Sequence, residues 1–402
     1  MLSASRFRLY PTPDQMQRLA VQFGHARWVW NDALALTEKT YRDTGKGLTY
    51  HSLATRLPGL KKEIAWLGDA DSQVLQQALQ NLAAAFENFF HKRARYPRFK
   101  RKHERQSIQY PQRVKIEGKR AYLPKVGWVK VVVHRALAGR IKTVTVSKEP
   151  CGHYYASVLM EDDTSMPVPA MPAGGRFTGI DVGLTDFAVT SDGSHYQNPR
   201  HLRQMEKNLA RKQRKLARKQ KGSRSRDKAR RLVARCHERV KNARKDYLHK
   251  LSRKLVDKSN AIAVEDLNVK GMVRNPNLAK AIADAGWGMF TRFCQYKAER
   301  AGKFFVRTDR FFPSSKTCSA CGRRRAEMPL SVRTWTCEGC GTVHDRDENA
   351  ATNIGQEADR MWRAGQTAGG TPVAAGGGSV SQRKRLGAAR AARSREARSP
   401  RL

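Results

Sequence analysis

The 402-residue sequence has no apolar run of about 18 residues, the length that crosses a bilayer as a helix. Its first residues, M-L-S-A-S-R-F-R-L-Y, lack the apolar stretch of a signal peptide. Neither membrane insertion nor export is therefore expected, and the chain reads as cytoplasmic. Acids are scarce: 35 Asp and Glu stand against 78 Lys and Arg, a formal net charge of +43. A compact fold with that imbalance repels itself unless a polyanion lies against it, which points to nucleic acid. Hydrophobic content of 40% and basic runs along the whole chain argue against one charged tail carrying the excess. On charge alone, a ribosomal or histone-like packing protein fits as well. Cysteine is also sparse, with seven in all. Four form two close pairs (Cys318, Cys321, Cys337, Cys340), a grouping that in a cytosolic chain favours metal over disulfides. Cys151, Cys236 and Cys294 are scattered and read as ordinary small core or surface residues.

The length allows two or three domains. Residues 6–10 alternate like a short strand stopped by Pro11 and Pro13, and apolar residues then recur at three and four positions across a helical unit, residues 12–91. From Ile116 the texture changes to short β-rich runs, R-A-Y-L-P, G-W-V-K-V-V-V, I-K-T-V-T-V and H-Y-Y-A-S-V-L-M, which with the opening strand suggest a small barrel or curled sheet holding inserted helices. M-P-V-P-A-M-P-A-G-G, residues 166–175, is a linker. Two apolar runs after it, 177–182 and 187–190, read as a β-hairpin. Residues 207–254 carry 21 Lys or Arg against three acids, and Gly222-Ser223 interrupts them. Leu248, Leu251 and Leu255 keep a helical stripe, so a long basic helical hairpin is expected, either as a solvated face or, given its sevenfold excess of one sign, as a phosphate-contacting one. A buried-type strand at 261–264 ending in Glu265, a helix over 287–301 and a strand at 304–307 then alternate as in an α/β layer fold. Beyond about Gln366 large apolar residues are too few to fold, and a disordered basic tail is expected.

The paired cysteines follow C-x2-C-x15-C-x2-C, with Gly322, Gly339 and Gly341 giving the open backbone that knuckle turns need. Four thiolates leave no open position, so one structural zinc is expected. Arg323, Arg324, Arg325, Arg333 and Trp335 offer a basic face for nucleic acid. Asp181, in G-I-D-V-G-L, lies in an apolar strand, where an acid is costly unless paired or metal-bound; capping a local turn is the plainer alternative. Glu265 ends A-I-A-V-E. In C-E-G-C-G-T-V-H-D-R-D-E-N-A-A-T-N-I, residues 337–354, Asp345-x-x-Glu348 has the form of a capping box, which leaves Asp347 unemployed, while Ala350, Ala351 and Thr352 begin a helix able to pack tightly on a sheet. His344 either supports the cluster or lies at the surface. Three acids from two strands and a helix start, in a polycation, suggest a site for two magnesium ions.

G-I-D-V-G-L, A-V-E-D-L-N and D-R-D-E-N-A-A-T-N-I, with a four-cysteine ribbon between the second and third, resemble the split RuvC-type nuclease of the transposon-encoded TnpB (OrfB) family, compact relatives of the type V CRISPR effectors. R-L-Y-P-T, G-K-G-L-T-Y, L-P-K-V-G-W-V-K, D-A-G-W-G and F-P-S-S-K-T-C-S-A-C-G extend the likeness over about residues 1–365. The resemblance implies an α+β multidomain fold: a wedge-like β-barrel at 1–165 with a helical insertion at about 12–100, a linker at 166–176, and an RNase H-like (RuvC) domain at 177–312 and 343–365. A basic hairpin and a zinc ribbon at 313–342 interrupt that domain, and the tail is 366–402. It implies catalytic, magnesium-holding Asp181, Glu265 and Asp347, and an endonuclease guided by a transposon-derived RNA to double-stranded DNA beside a short motif read by the protein. Tyr50, Gln76 and Gln80 lie in segments resembling those that meet this motif; glutamine pairs with adenine edges, although a solvent-facing glutamine is the plainer alternative. A monomer in the nucleoprotein complex, associated with a prokaryotic nucleoid, is implied too. The competing readings are an RNA-independent DNA nuclease or recombinase and a non-enzymatic zinc-ribbon regulator of transposition.

Overall fold

A computed structural model describes Met1–Pro329 and Ser331–Thr367. The expected tail lies, from Ala368 on, outside the described residues. Among those described, no helix is long and apolar enough to cross a membrane. The chain forms two compact units, Met1–Ser165 with Leu209–Glu238, and Met166–Asn208 with the chain from Arg239 onward. The basic hairpin is thereby divided between them.

In the first unit β1 (Leu2–Tyr10) leads into α1 (Pro13–Thr44). Thr12 caps α1 in a reciprocal box with Gln15, Pro13 occupies its first turn, and Gly45 ends it at φ 70°, a left-handed conformation suited to glycine. Short α2 (Tyr50–Ala54) and α3 (Leu57–Glu63) precede α4 (Ser72–Phe90), which Asp71 caps. Strands β2 (Gln106–Tyr110), β3 (Lys115–Glu117), β4 (Arg120–Leu123), β5 (Gly127–Val132), β6 (Arg140–Lys148) and β7 (Tyr154–Glu161) join β1 in one sheet ordered β2-β6-β7-β1-β5-β4-β3. Its ladders run in one open series, so it is a curled half-barrel with β2 and β3 at the edges. The reason β2 escaped notice in the sequence is its polar run Q-S-I-Q-Y, in which Ile108 and Tyr110 alone mark the core face.

The second unit begins with β8 (Phe177–Val182), β9 (Asp186–Thr190) and β10 (His195–Gln197), an antiparallel meander. The basic helices follow as α5 (His201–Ala217) and α6 (Arg224–Lys258), broken around Gly222-Ser223 as expected. Next come β11 (Ala261–Glu265), short α7 (Val269–Met272) and α8 (Ala279–Ala285), α9 (Trp287–Arg300) and β12 (Phe305–Thr308). β13 (Thr334–Thr336) pairs with β14 (Val343–Asp345), and α10 (Arg346–Thr367) closes the described chain. The main sheet is ordered β10-β9-β8-β11-β12, with β8, β11 and β12 parallel. Both faces are covered, so its strands read as continuous apolar runs. Ile180, Ile262 and Val264 pack with Leu248, Leu251, Leu255 and Phe290 on one face; Phe177, Ala261 and Ala263 pack with Ile354 and Ala358 of α10 on the other.

Candidate catalytic centre and four-cysteine cluster

Alternation along β8 and β11 decides where the two strand acids point. Ala261 and Ala263 face α10, so Glu265, two residues further, faces the same side; Gly179 and Asp181 share that face. Ile180 pairs with Val264, and the next step of this parallel register sets Asp181 level with Glu265. Neighbouring strands lie about 4.8 Å apart, so both acids stand at the carboxyl end of the sheet with nothing wider than one strand spacing between them.

The third acid arrives through α10. A Cβ on Gly179 would collide with the Ala351 carbonyl oxygen and lie 2.5 Å from the Gly355 nitrogen, so helix and strand touch backbone to backbone. Asp347, one turn before Ala351, is thereby carried to the height of Asp181. Burial, and then the charges of Asp347 and Glu265, push the Asp181 carboxyl up to about 7, partly offset by Arg346. Burial, followed by the charge of Asp266, also raises Glu265. The three acids thus occupy one electrostatic neighbourhood, and an all-oxygen donor set of this kind suits hard divalent cations. Asp347 is paired with Arg333, whose Nη1 lies 3.3 Å from Oδ2.

Every residue that opens α10 has a separate task. Asp345 Oδ1 accepts from the amides of Asp347 at 2.8 Å and Glu348 at 3.0 Å, the expected cap. The return arm expected from Glu348 is corrected: its Oε1 lies 3.0 Å from His195 Nε2, while His195 Nδ1 is 2.9 Å from Asp186 Oδ2. Hydrogen bonds to Asp186 and Glu348 raise the His195 pKa, which favours the imidazolium that can donate to both. Buried Asn349 and Asn353 donate to the Thr317 carbonyl at 2.7 and 2.6 Å, and Asn353 also to that of Ser314 at 2.7 Å. Asn349 Oδ1 accepts from Ser319 N at 2.9 Å. These amides fasten the first cysteine knuckle to the helix that bears Asp347. Sequence reasoning passed over His195, Asn349 and Asn353; the spacing of the two asparagines by one helical turn, beside small apolar residues, was the available signal.

The sulfur atoms of Cys318, Cys321, Cys337 and Cys340 all lie within 4.8 Å of one another, with Cys318–Cys340 and Cys321–Cys337 each at 3.6 Å. Disulfide sulfurs approach to about 2.05 Å, whereas a tetrahedron with Zn–S bonds of about 2.3 Å has edges of about 3.8 Å. The cluster therefore fits zinc. Gly322 at φ 77° and Gly341 at φ 72° turn the two knuckles. His344 is not at the surface: it is buried, 3.0 Å from Cys318 Sγ, and packs on Trp335. Trp335 consequently belongs to the ribbon's interior, and with Arg333 turned to Asp347 the expected basic face reduces to Arg323, Arg324 and Arg325, all exposed. In the first unit Gln76 and Gln80 lie one turn apart on the exposed face of α4, and Gln80 Nε2 donates to the Tyr50 hydroxyl at 3.3 Å.

Sheet order, converging acids and adjacent cysteine cluster define a class of basic α+β proteins with a carboxylate-lined site. Comparison with known proteins narrows it. A family model described as "Probable transposase" matches residues 156–276, and a "Cas12f1-like, TNB domain" model matches residues 287–354. A "Helix-turn-helix domain" model matches residues 1–46, which here form β1 and the single helix α1. A Streptomyces pristinaespiralis protein named "Putative RNA-guided DNA endonuclease" is 40% identical over 87% of this chain and 88% of its own length. InsQ of Escherichia coli K12, given the same description, is 34% identical over 88% of this chain and 91% of its own. The chain belongs to the TnpB (OrfB) family, related to type V CRISPR effectors. A solved mini-RNA-guided endonuclease, CRISPR-Cas phi3, covers 88% of this chain and 92% of its own at 10% identity and a TM-score of 0.44, too distant a likeness to carry an argument.

Proposed function

We propose that this chain is an RNA-guided DNA endonuclease of transposon origin that hydrolyses phosphodiesters at Asp181, Glu265 and Asp347. The observation that carries the reading is the convergence of three carboxylates from β8, β11 and α10, close enough that two of them raise the pKa of the third, in a chain of net charge +43. The main sheet, with its antiparallel meander followed by two parallel strands, supports an RNase H-like (RuvC) domain at 177–312 and 343–365, and the cysteine cluster supports a zinc ribbon at 313–342. Two magnesium ions, when bound, supply water activation and charge stabilisation at the leaving oxygen. The protein's own work is to hold the acids together. β8 and β11 set Asp181 and Glu265 at one level, the Gly179–Gly355 approach seats α10, and the Asp345 cap with the Glu348–His195 pair fixes the turn that carries Asp347.

Guide RNA and double-stranded DNA are the partners that fit the charge, since base pairing would read sequence and the protein would grip backbones. Tyr50, Gln76 and Gln80 are assigned to reading the target-adjacent motif in the 1–165 wedge-like domain, and the working unit to one chain per nucleoprotein complex. Asp347→Ala should abolish cutting while zinc content and RNA binding stay as in the unmodified protein; full cleavage by this variant would sink the catalytic assignment. Absence of a discrete copurifying RNA, with cutting insensitive to RNase, would favour an unguided nuclease. A protein that binds RNA and zinc but never cuts would favour a transposition regulator.

A further inference from the structure

Three scattered side chains that the proposed reaction does not use meet in the first unit. Cys151 and His153 stand in the turn between β6 and β7, and Glu238 stands on α6. The turn is held by Glu149 N donating to the His153 carbonyl at 2.8 Å and Gly152 N to the Glu149 carbonyl at 2.9 Å, with Gly152 at φ 90°. The turn thus gathers Cys151 Sγ, a His153 ring nitrogen and a Glu238 carboxylate oxygen within 4.8 Å of one another. Cys151 is 2% exposed, and the other two are half-buried.

Glu238 is the hub of this cluster. His153 Nδ1 lies 2.6 Å from Oε2, a charge-assisted hydrogen-bond distance, and hydrogen bonds from Cys151, Tyr155 and His153 converge on the one Glu238 carboxylate. A tetrahedral zinc with bonds of about 2.0–2.1 Å sets its ligand atoms about 3.3 Å apart, so an ion entering here takes the place of the protons that link these three side chains and spreads them slightly. The other carboxylate oxygen, Oε1, accepts from the Tyr155 hydroxyl at 2.9 Å, which itself accepts from Arg8 Nη1 at 3.0 Å. Orientation of a ligating carboxylate by a further hydrogen-bonded shell is the usual accompaniment of a metal site.

We propose that the Cys151 thiolate, a ring nitrogen of His153 and the Glu238 carboxylate bind a second zinc ion, independent of the four-cysteine cluster. One thiolate, one imidazole and one carboxylate form a borderline donor set, which selects zinc over the hard cations that all-oxygen sites take. Three protein ligands leave a fourth position for water. The ion clips the β6–β7 turn to α6 and so fixes the residues of α6 within this unit, Arg224, Arg226, Lys228, Arg230, Arg231 and Arg235 among them, against the sheet that carries the turn.

The test is zinc content of the full-length chain, measured by elemental analysis after dialysis against free zinc buffered in the micromolar range, with Cys151→Ser and Glu238→Gln alongside. The unmodified protein should hold one more equivalent than the four-cysteine cluster accounts for, and each variant should lose that equivalent. A chelator too weak to strip the four-thiolate cluster should lower the Tm of the unmodified protein and leave that of Glu238→Gln unchanged. A single equivalent in the unmodified protein overturns the proposal, as does a zinc content unaltered in both variants. If Cys151→Ser fails to fold, the near-isosteric Glu238→Gln carries the comparison.

Discussion

Asp181 connects the electrostatics of the site to a measurable pH dependence. Its folded pKa of about 7 lies above the usual 3.8, so its contribution to stability is fully present below 3.8 and is lost as pH rises through about 7. Chelator-treated protein should therefore melt lower at about pH 8 than at about pH 5.5, and added Mg2+ should recover more of the Tm at the higher pH. Asp181→Asn should flatten both dependences relative to the unmodified protein; an unchanged Mg2+ response in that variant would remove Asp181 from the ion site. Arg333 supplies the complementary residue-scale test. Its guanidinium pairs with Asp347 and is half-exposed, so the pair adds no more than about 1 kcal/mol to stability. Arg333→Gln removes a competing cation, and half-maximal cutting should need less Mg2+ than in the unmodified protein. A higher requirement would mean that Arg333 aids the site rather than competing at it.

At the scale of elements, the site depends on how closely α10 lies on β8. Gly179→Ala places a methyl group against the backbone of α10 at Ala351 and Gly355, an overpacking that should cost about 1–3 kcal/mol. The variant should lower Tm, and cutting should fall further than the stability loss explains, because the displaced helix carries Asp347. Normal cutting in Gly179→Ala would show that the close approach is structural only. Asn353→Ala tests the other side of the helix: two carbonyl contacts vanish, at about 1–3 kcal/mol, and the first cysteine knuckle should lose its hold on α10 while the zinc content stays that of the unmodified protein. Much of this geometry was open to sequence reasoning. The continuous apolar runs gave β8 and β11, the acids at their ends stood out against those runs, and the cysteine spacing defined the cluster. What escaped has a common physical cause. His195–Glu348, the Asn349–Asn353 fastening and the Gly179–Gly355 approach join residues far apart in sequence, and their side chains are small or polar, so no periodicity announces them. Glu348 was assigned to a cap because the local pattern sufficed, whereas the tertiary partner His195, 153 positions away, won its carboxylate.

For the whole molecule, the decisive quantity is charge, and charge in a nucleic-acid-binding protein acts through counterion release. Each Lys or Arg that neutralises a phosphate contributes a slope of about −0.9 on duplex, or about −0.7 on a single strand, to the logarithmic dependence of affinity on salt. On α5 the exposed residues Arg211, Arg214, Lys215 and Arg218 recur at three and four positions, forming a stripe opposite the buried Leu209. A solvated stripe and a phosphate-gripping stripe look alike in static structure but differ in this slope. Arg214→Gln, Lys215→Gln and Arg218→Gln combined should leave Tm nearly unchanged, since no core contact is lost, and should reduce the salt slope for guide RNA by about 0.7 per contact removed. An unaltered slope would place the nucleic acid elsewhere and return α5 to the role of a solvated face. Because the same substitutions leave Asp181, Glu265 and Asp347 untouched, cutting at saturating RNA and low salt should persist, which separates a lost grip on the backbone from damage to the proposed catalytic acids.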